Sequence, residues 1–244
     1  MILLQQVWRC SDRHSHNVIQ VDFEDTDIKR AVWIADQKLQ FVDVHSPAGV
    51  VRSPAIIRNR LISGKLADHA VKYLINSTIA SRGLSLVLQE YDEVRVDSWR
   101  NRDSFDLQIS SPTSHRDIEV RSSFSYMLAP AAKIIQKLSI YGWYVTRNKP
   151  REPLRDFYWQ VIYHMRPGNI SKQATWPDVP VFEDQLDAGL VRGYIVGGAT
   201  RELLNNKSLA GIRRDQDGAF YQSISPICLG MDVSGILNAT LTLP

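Results

Sequence analysis

Asp106, Glu119 and Arg121 are the residues whose types and spacing could do chemistry together. They lie in Phe105-Asp-Leu-Gln-Ile109 and Asp117-Ile-Glu-Val-Arg-Ser-Ser123, joined by Ser-Ser-Pro-Thr-Ser-His-Arg. If each run is a strand, a side-chain period of two puts Asp106 and Gln108 on one face and Phe105, Leu107 and Ile109 on the other. Glu119, Arg121 and Ser123 likewise share a face, opposite Ile118 and Val120. The linker is turn chemistry, so antiparallel pairing is the simplest arrangement, and the two carboxylates then stand side by side. Two such acids and a backbone carbonyl, that of Val120, suit a Mg²⁺ or Mn²⁺ ion that keeps several waters and a substrate phosphate. An ion so held polarises a phosphoryl oxygen and activates a bound water, while an adjacent cation steadies the developing charge. The bland reading of the same pattern is two acids on a solvated strand face.

These residues resemble the signature of the restriction-endonuclease-like nucleases: an Asp, a spacer, then (Asp/Glu)-x-Lys on two adjoining strands. The match is Asp106 followed by Glu119-Val120-Arg121. Phe105 stands where the family often has Pro, a mild departure. Arg121 stands where the family has Lys, and a guanidinium, always charged, cannot act as a base. It can still bind phosphate, which leaves efficient cutting, slow cutting and binding alone all open.

The elements that must position this hairpin follow from the rest of the chain. Pro54 closes the N-terminal region and a helix follows from about Ala55 with a weak point at Ser63-Gly64; Leu66, Ala67, Ala70, Val71 and Leu74 form its apolar stripe. Asp68 and Lys72, four apart, read as an i,i+4 ion pair on a solvated face. The resemblance implies a second role: an acid from a helix before the core sheet joins the metal site, which makes Asp68 an outer ligand, and Lys72 a cation supplied from another element. Gly83 ends the helix, and Leu84 to Val96 is expected to be the first core strand. The loop that follows carries Trp99, Arg100 and Arg102, with Arg95 and Arg116 able to approach its rim. A basic loop with an aromatic suits a phosphate backbone and an unstacked base, and equally suits an ordinary solvated hairpin tip.

Ala129 to Tyr141 reads as an amphipathic helix with Pro130 in its first turn, and Phe157–Met165 as a strand reached by a right-handed crossover. His164 in it reads as a core or edge residue. Residues 166–189 form a long irregular connection containing Trp176 and Phe182. Leu190–Val196 is a further strand, Gly197-Gly198 a turn, and Thr200 the cap of a helix. The C-terminal tail is expected to fold back on the N-terminal strands. Residues 1–55 read as a β-rich extension, with strands at 18–23, 30–35 and 39–44, that either packs on the core sheet or forms an interface. The expected fold is α/β: a restriction-endonuclease-like core in 56–244, with a mixed central sheet of about five strands flanked by helices.

Composition is that of a globular chain: 244 residues, 44% hydrophobic, 23% charged, net charge +3. The mildly basic balance permits nucleic-acid binding without requiring it. Cys10 and Cys228 are far apart and make neither a zinc motif nor a disulfide framework, and His14 and His16, with no third ligand in sight, read as solvent-exposed. With no signal peptide and no membrane span, a cytoplasmic protein is expected. The leading function is a metal-dependent DNA endonuclease of a restriction, phage-defence or mobile-element system. The resemblance implies DNA and other subunits of such a system as partners, and a homodimer as one way to present two sites to two strands. The alternative is a non-catalytic nucleic-acid-binding or assembly subunit on the same scaffold, and a third possibility is a structural protein.

Overall fold

The computed structural model describes residues 1–45, 51–101, 103–145, 152–166, 182–206, 215–216 and 219–242. Arg102, Trp176 and most of the 166–189 connection fall outside them. The chain opens with β1 (Ile2–Ser11) and β2 (His14–Asp22), followed by α1 (Asp25–Leu39) and α2 (Pro54–Arg82). A meander of β3 (Val87–Glu90), the single turn α3 (Tyr91–Val94), β4 (Leu107–Ser110) and β5 (His115–Tyr126) follows. The crossover holds α4 (Ile134–Lys137), β6 (Ser139–Tyr141) and β7 (Tyr144–Val145), and leads to β8 (Phe157–Met165). Then come α5 (Phe182–Asp187), β9 (Val191–Thr200), α6 (Arg201–Asn205), the short strands β10 (Asp215–Gln216), β11 (Ala219–Tyr221) and β12 (Ile224–Pro226), and α7 (Val233–Leu241).

The protein is α/β, with a mixed central sheet of seven strands in the order β1-β2-β9-β8-β5-β4-β3, flanked by helices. Only β5 and β8 run parallel; every other neighbouring pair is antiparallel. Two strands beyond the expected five come from the N-terminal hairpin, whose β2 pairs with β9 through Ile19↔Ile195. β8 is buried along its whole length because both its faces are covered, the condition under which a strand reads as a continuous apolar run. Trp159, Val161 and Tyr163 face the core beneath α1 and α2, while Tyr158 and Ile162 face a second core that includes Trp8, Ile135 and Ile227.

Several expectations are corrected. Residues 30–35 and 39–44 are not strands: α1 covers 25–39, opened by reciprocal bonds between Glu24 and Asp27, a capping box that outweighs the strand-like run Ala31–Ala35. The helix at 54–82 passes through Ser63-Gly64 without a break, capped by Ser53 and closed by Gly83 in the left-handed conformation. The first core strand is only Val87–Glu90. The helix expected over 129–141 shrinks to one 3-10 turn and one α turn before β6 begins. Gly197-Gly198 is no turn: both lie inside β9, beside an irregularity in the β8 register. Gly197 takes φ +105°, and a Cβ there would collide with the carbonyl of Met231. Cys10 and Cys228, expected to stay unpaired, form a disulfide. His16 is fully buried rather than exposed.

Candidate functional site

The hairpin forms in the expected register. Leu107 pairs with Ile118 and Ile109 with Arg116, so one step further out Asp106 stands opposite Glu119. Residues directly opposite across an antiparallel pair project to the same face. Leu107, Ile109, Ile118 and Val120 pack into the core, which commits Glu119 and Arg121 to the other face. Asp106 sits at the mouth of β4, where its Oδ2 accepts a 2.8 Å hydrogen bond from the Val120 N–H. Asp106, Glu119 and Arg121 line a cleft of about 460 Å³, together with Lys38, Arg95, Trp99, Arg100, Asp103, Tyr144, Glu152 and Arg155.

Glu119 is clamped by two guanidinium groups. Arg121 Nη1 lies 3.0 Å from its Oε1 and Arg155 Nε 3.4 Å from its Oε2. Arg121 also reaches Glu152 and donates to the Gly142 carbonyl at 3.1 Å, with its guanidinium 5.4 Å from the Tyr144 ring centre. Burial pushes the Glu119 carboxyl above its ordinary range, against the pull of Arg121. Burial and then the charge of Glu119 push Asp106 up to about 7. Burial thus disfavours ionisation of both acids, a cost that a bound cation would offset.

Behind Asp106 lies a charged layer between α2 and β3. Lys65 on α2 is buried and bonds Asp68 at 2.8 Å, Glu90 at 3.1 Å and Asp92. Lys38 on α1 closes the network at 2.9 Å from Asp92. Desolvation opposes the charge on Lys65, but Asp68, Glu90 and Asp92 hold its pKa well above the usual value. Asp68 is raised well above its range by burial, with Asp106 adding repulsion. Asp68 is thus in electrostatic contact with the Asp106 site, and its ion-pair partner is Lys65, one turn earlier, not Lys72.

The remaining expected residues fare unevenly. Arg95 lines the cleft, but its side chain is buried and committed to Asp92, Asp97 and Asp103, so it is a structural cation and not a free phosphate ligand. Trp99 is half-buried between Arg95, at 4.9 Å, and the edge of Trp33; Arg100 is exposed at the cleft. Ser98 and Trp99 both have positive φ, and Trp99 lines the cleft. Lys72 pairs with Glu90 and Glu93, away from the cleft wall. Arg116 pairs with Asp156 at 3.5 Å and Gln108 bonds Asp117 at 2.9 Å, so neither reaches the acids. Lys38, Lys65, Glu152 and Arg155 were missed. Only Lys65 carried a signal, its i,i+3 spacing from Asp68.

The oxygen-only donors of Asp106, Glu119 and the Val120 carbonyl fit a hard divalent cation. Among the described residues Asp106 accepts hydrogen bonds through Oδ2 alone, which leaves Oδ1 to face such an ion. Glu119 would have to release one guanidinium, and Glu152 gives Arg121 a second partner to turn to.

The chain is 26% identical, over a 263-residue alignment, to an uncharacterized protein of Methanocaldococcus jannaschii, covering 93% of this chain and 87% of that protein. No family model matches the chain. No solved structure matches it. Among the described residues no helix is long and apolar enough to cross a membrane.

Proposed function

We propose that this chain is a divalent-metal-dependent phosphodiesterase that cuts DNA, on a restriction-endonuclease-like core, acting in the cytoplasm as part of a defence or mobile-element system. The observation that carries the reading is the apposition, at one cleft, of half-buried Asp106, one step before β4, and buried Glu119 on β5, with Arg121 two residues beyond. The order of elements supports it: a long helix, an antiparallel meander holding the two acids, then a strand parallel to the second of them.

In this reading Asp106, Glu119 and the Val120 carbonyl would hold Mg²⁺ or Mn²⁺, which when bound would supply Lewis acidity and an activated water. Arg121 binds a non-bridging phosphate oxygen and stabilises its developing charge. Arg100 and Trp99 contact the adjoining strand through phosphate and base. Lys65, buried behind Asp106, offsets part of the charge on Asp106 without touching substrate.

A second reading, a nucleic-acid-binding subunit that does not cut, is favoured by one observation: both oxygens of Glu119 are engaged by arginines. Incubating supercoiled plasmid and single-stranded DNA with the chain in Mg²⁺ or Mn²⁺ separates the two. Cutting by the native chain, lost in Asp106→Ala and Glu119→Ala, supports the enzyme. Salt-sensitive binding with no cutting by any variant leaves the second reading.

A further inference from the structure

The β1–β2 hairpin lies at the opposite edge of the sheet from the β3–β4 edge that carries the acid pair. Its register slips between Arg9↔Ser15 and Ser11↔His14, leaving Cys10 as the extra residue of a bulge. Trp8 stands opposite His16, so the alternation of β1 carries Cys10, two residues on, to the side of the hairpin that holds His14 and His16. One ligand atom from each of Cys10, His14 and His16 can be chosen so that all lie within 4.8 Å of one another.

His16 carries a second and independent observation. The side chain is 0% exposed, its Nε2 lies 2.8 Å from the Val196 carbonyl, and its Nδ1 is buried with no hydrogen-bond partner among the described residues. A carbonyl on one ring nitrogen fixes the proton there and leaves a lone pair on the other, the arrangement by which proteins orient metal-bound histidines. A buried polar atom without a partner calls for such an explanation.

We infer that Cys10, His14 and His16, joined by Cys228 once the Cys10–Cys228 bond is reduced, form a zinc site that clips the hairpin to the segment before α7. Two imidazoles and two thiolates are the donor set of a closed tetrahedral zinc centre. Neighbouring ligand atoms in such a centre are about 3.5 Å apart, given bonds of about 2.0 to 2.3 Å, so modest side-chain rotation closes the cluster. Cys228 is already adjacent, its Cα 5.6 Å from that of Cys10. A dithiol reductant supplies two electrons and two protons to the disulfide and leaves as its own disulfide. Zinc then displaces the two thiol protons. His14, exposed at the turn, gives the ion its way in. The fastening persists in both states, as a disulfide when oxidised and as a metal clip when reduced.

The test uses the full chain, reduced with a phosphine, desalted without oxygen, and titrated with Zn²⁺ against a chromophoric chelator and with Co²⁺ by absorption spectroscopy. The expected result is one tightly held zinc per chain and an intense thiolate-to-cobalt charge-transfer band, which the oxygen donors of the acid pair cannot produce. His14→Ala, at an exposed position that leaves the core intact, should weaken zinc binding by about 100-fold or more. Cys228→Ser should lower the band, and oxidation with a diazene should expel the zinc. A reduced native chain that shows no charge-transfer band, or that holds zinc no better than the Cys10→Ser/Cys228→Ser double variant, would overturn the proposal.

Discussion

Replacing Asp106 with Asn should stabilise the fold while removing the site's capacity for metal. The Asn carbonyl can keep the hydrogen bond from the Val120 N–H, so the change removes charge and little else. Asp106 titrates at about 7 in the folded chain against 3.8 for an ordinary aspartate, because it is buried beside Glu119. A difference of about 3 in pKa corresponds to about 4 kcal/mol. The unfolded chain sheds this proton near pH 4 and the folded chain near pH 7, so across that window the fold binds more protons and its stability falls as pH rises. The penalty is absent below about pH 4, roughly a third incurred by pH 5 and complete above about pH 7. Asp106 keeps some solvent-facing surface at the cleft floor, which trims the figure to about 2 kcal/mol.

Urea denaturation at pH 5 and pH 8 in excess chelator measures this directly. The Asn variant should gain about 0.7 kcal/mol at pH 5 and about 2 kcal/mol at pH 8. Adding Mg²⁺ at about 100 times its dissociation constant should then stabilise the native chain by about 2.7 kcal/mol and leave the variant unmoved. A variant no more stable than the native chain at pH 8 would refute the electrostatic reasoning. Equal stabilisation of both by Mg²⁺ would refute the assignment of Asp106 as a ligand.

Three further outcomes follow from the same geometry. Lys65→Met leaves Asp68, Glu90 and Asp92 without their shared buried cation and should cost about 3–5 kcal/mol, seen as a lower urea midpoint; an unchanged midpoint would show that Lys38 and Lys72 suffice. Arg121→Ala should slow DNA cutting about 100-fold, and Arg121→Lys, which keeps the charge but not the fork, should restore only part of the rate; cutting at native speed by the Ala variant would remove Arg121 from the charge-stabilising role. Gly197→Ala forces a side chain into a positive-φ position against the Met231 carbonyl and should cost about 3 kcal/mol, again read from the midpoint.

Local pattern carried what local interactions decide. The hairpin around Asp106 and Glu119, the stripe of α2 with its Gly83 terminator, and the apolar run of β8 were all legible, because each has an unambiguous period or terminator. The α1 segment failed because Ala31-Val-Trp-Ile-Ala35 is apolar throughout and β-prone, so periodicity could not separate a helix from a strand; the Glu24–Asp27 box was the cue that decides it. The turn expected at Gly197-Gly198 failed for the opposite reason. Those glycines serve close approach to the Met231 and Tyr158 carbonyls within a strand, and tertiary neighbours cannot be read from a dipeptide. Cys10 and Cys228, 218 residues apart, meet only because the tail returns to the N-terminal hairpin.

The same division runs through the candidate site. Its acids and Arg121 come from one hairpin and were found, whereas the other counter-charges, Lys38, Lys65 and Arg155, come from α1, α2 and the segment before β8 and were not. The distinction matters most at Arg121. An arginine where the resemblance expects a lysine reads, in the sequence, as an isolated departure. In the fold its branched head serves Glu119, Glu152 and the Gly142 carbonyl together. A lysine is a compact point charge with three donors on one atom and cannot span those acceptors as a planar fork can. Glu152 therefore makes the arginine a coherent choice: it holds part of the guanidinium charge away from Glu119, leaving that carboxylate free to face a metal when substrate draws Arg121 outward. Glu152→Gln would weaken that hold and leave Arg121 bound more closely to Glu119. In the enzyme reading cutting should then require a higher Mg²⁺ concentration, whereas an unchanged Mg²⁺ dependence would sink the division of labour between the two glutamates.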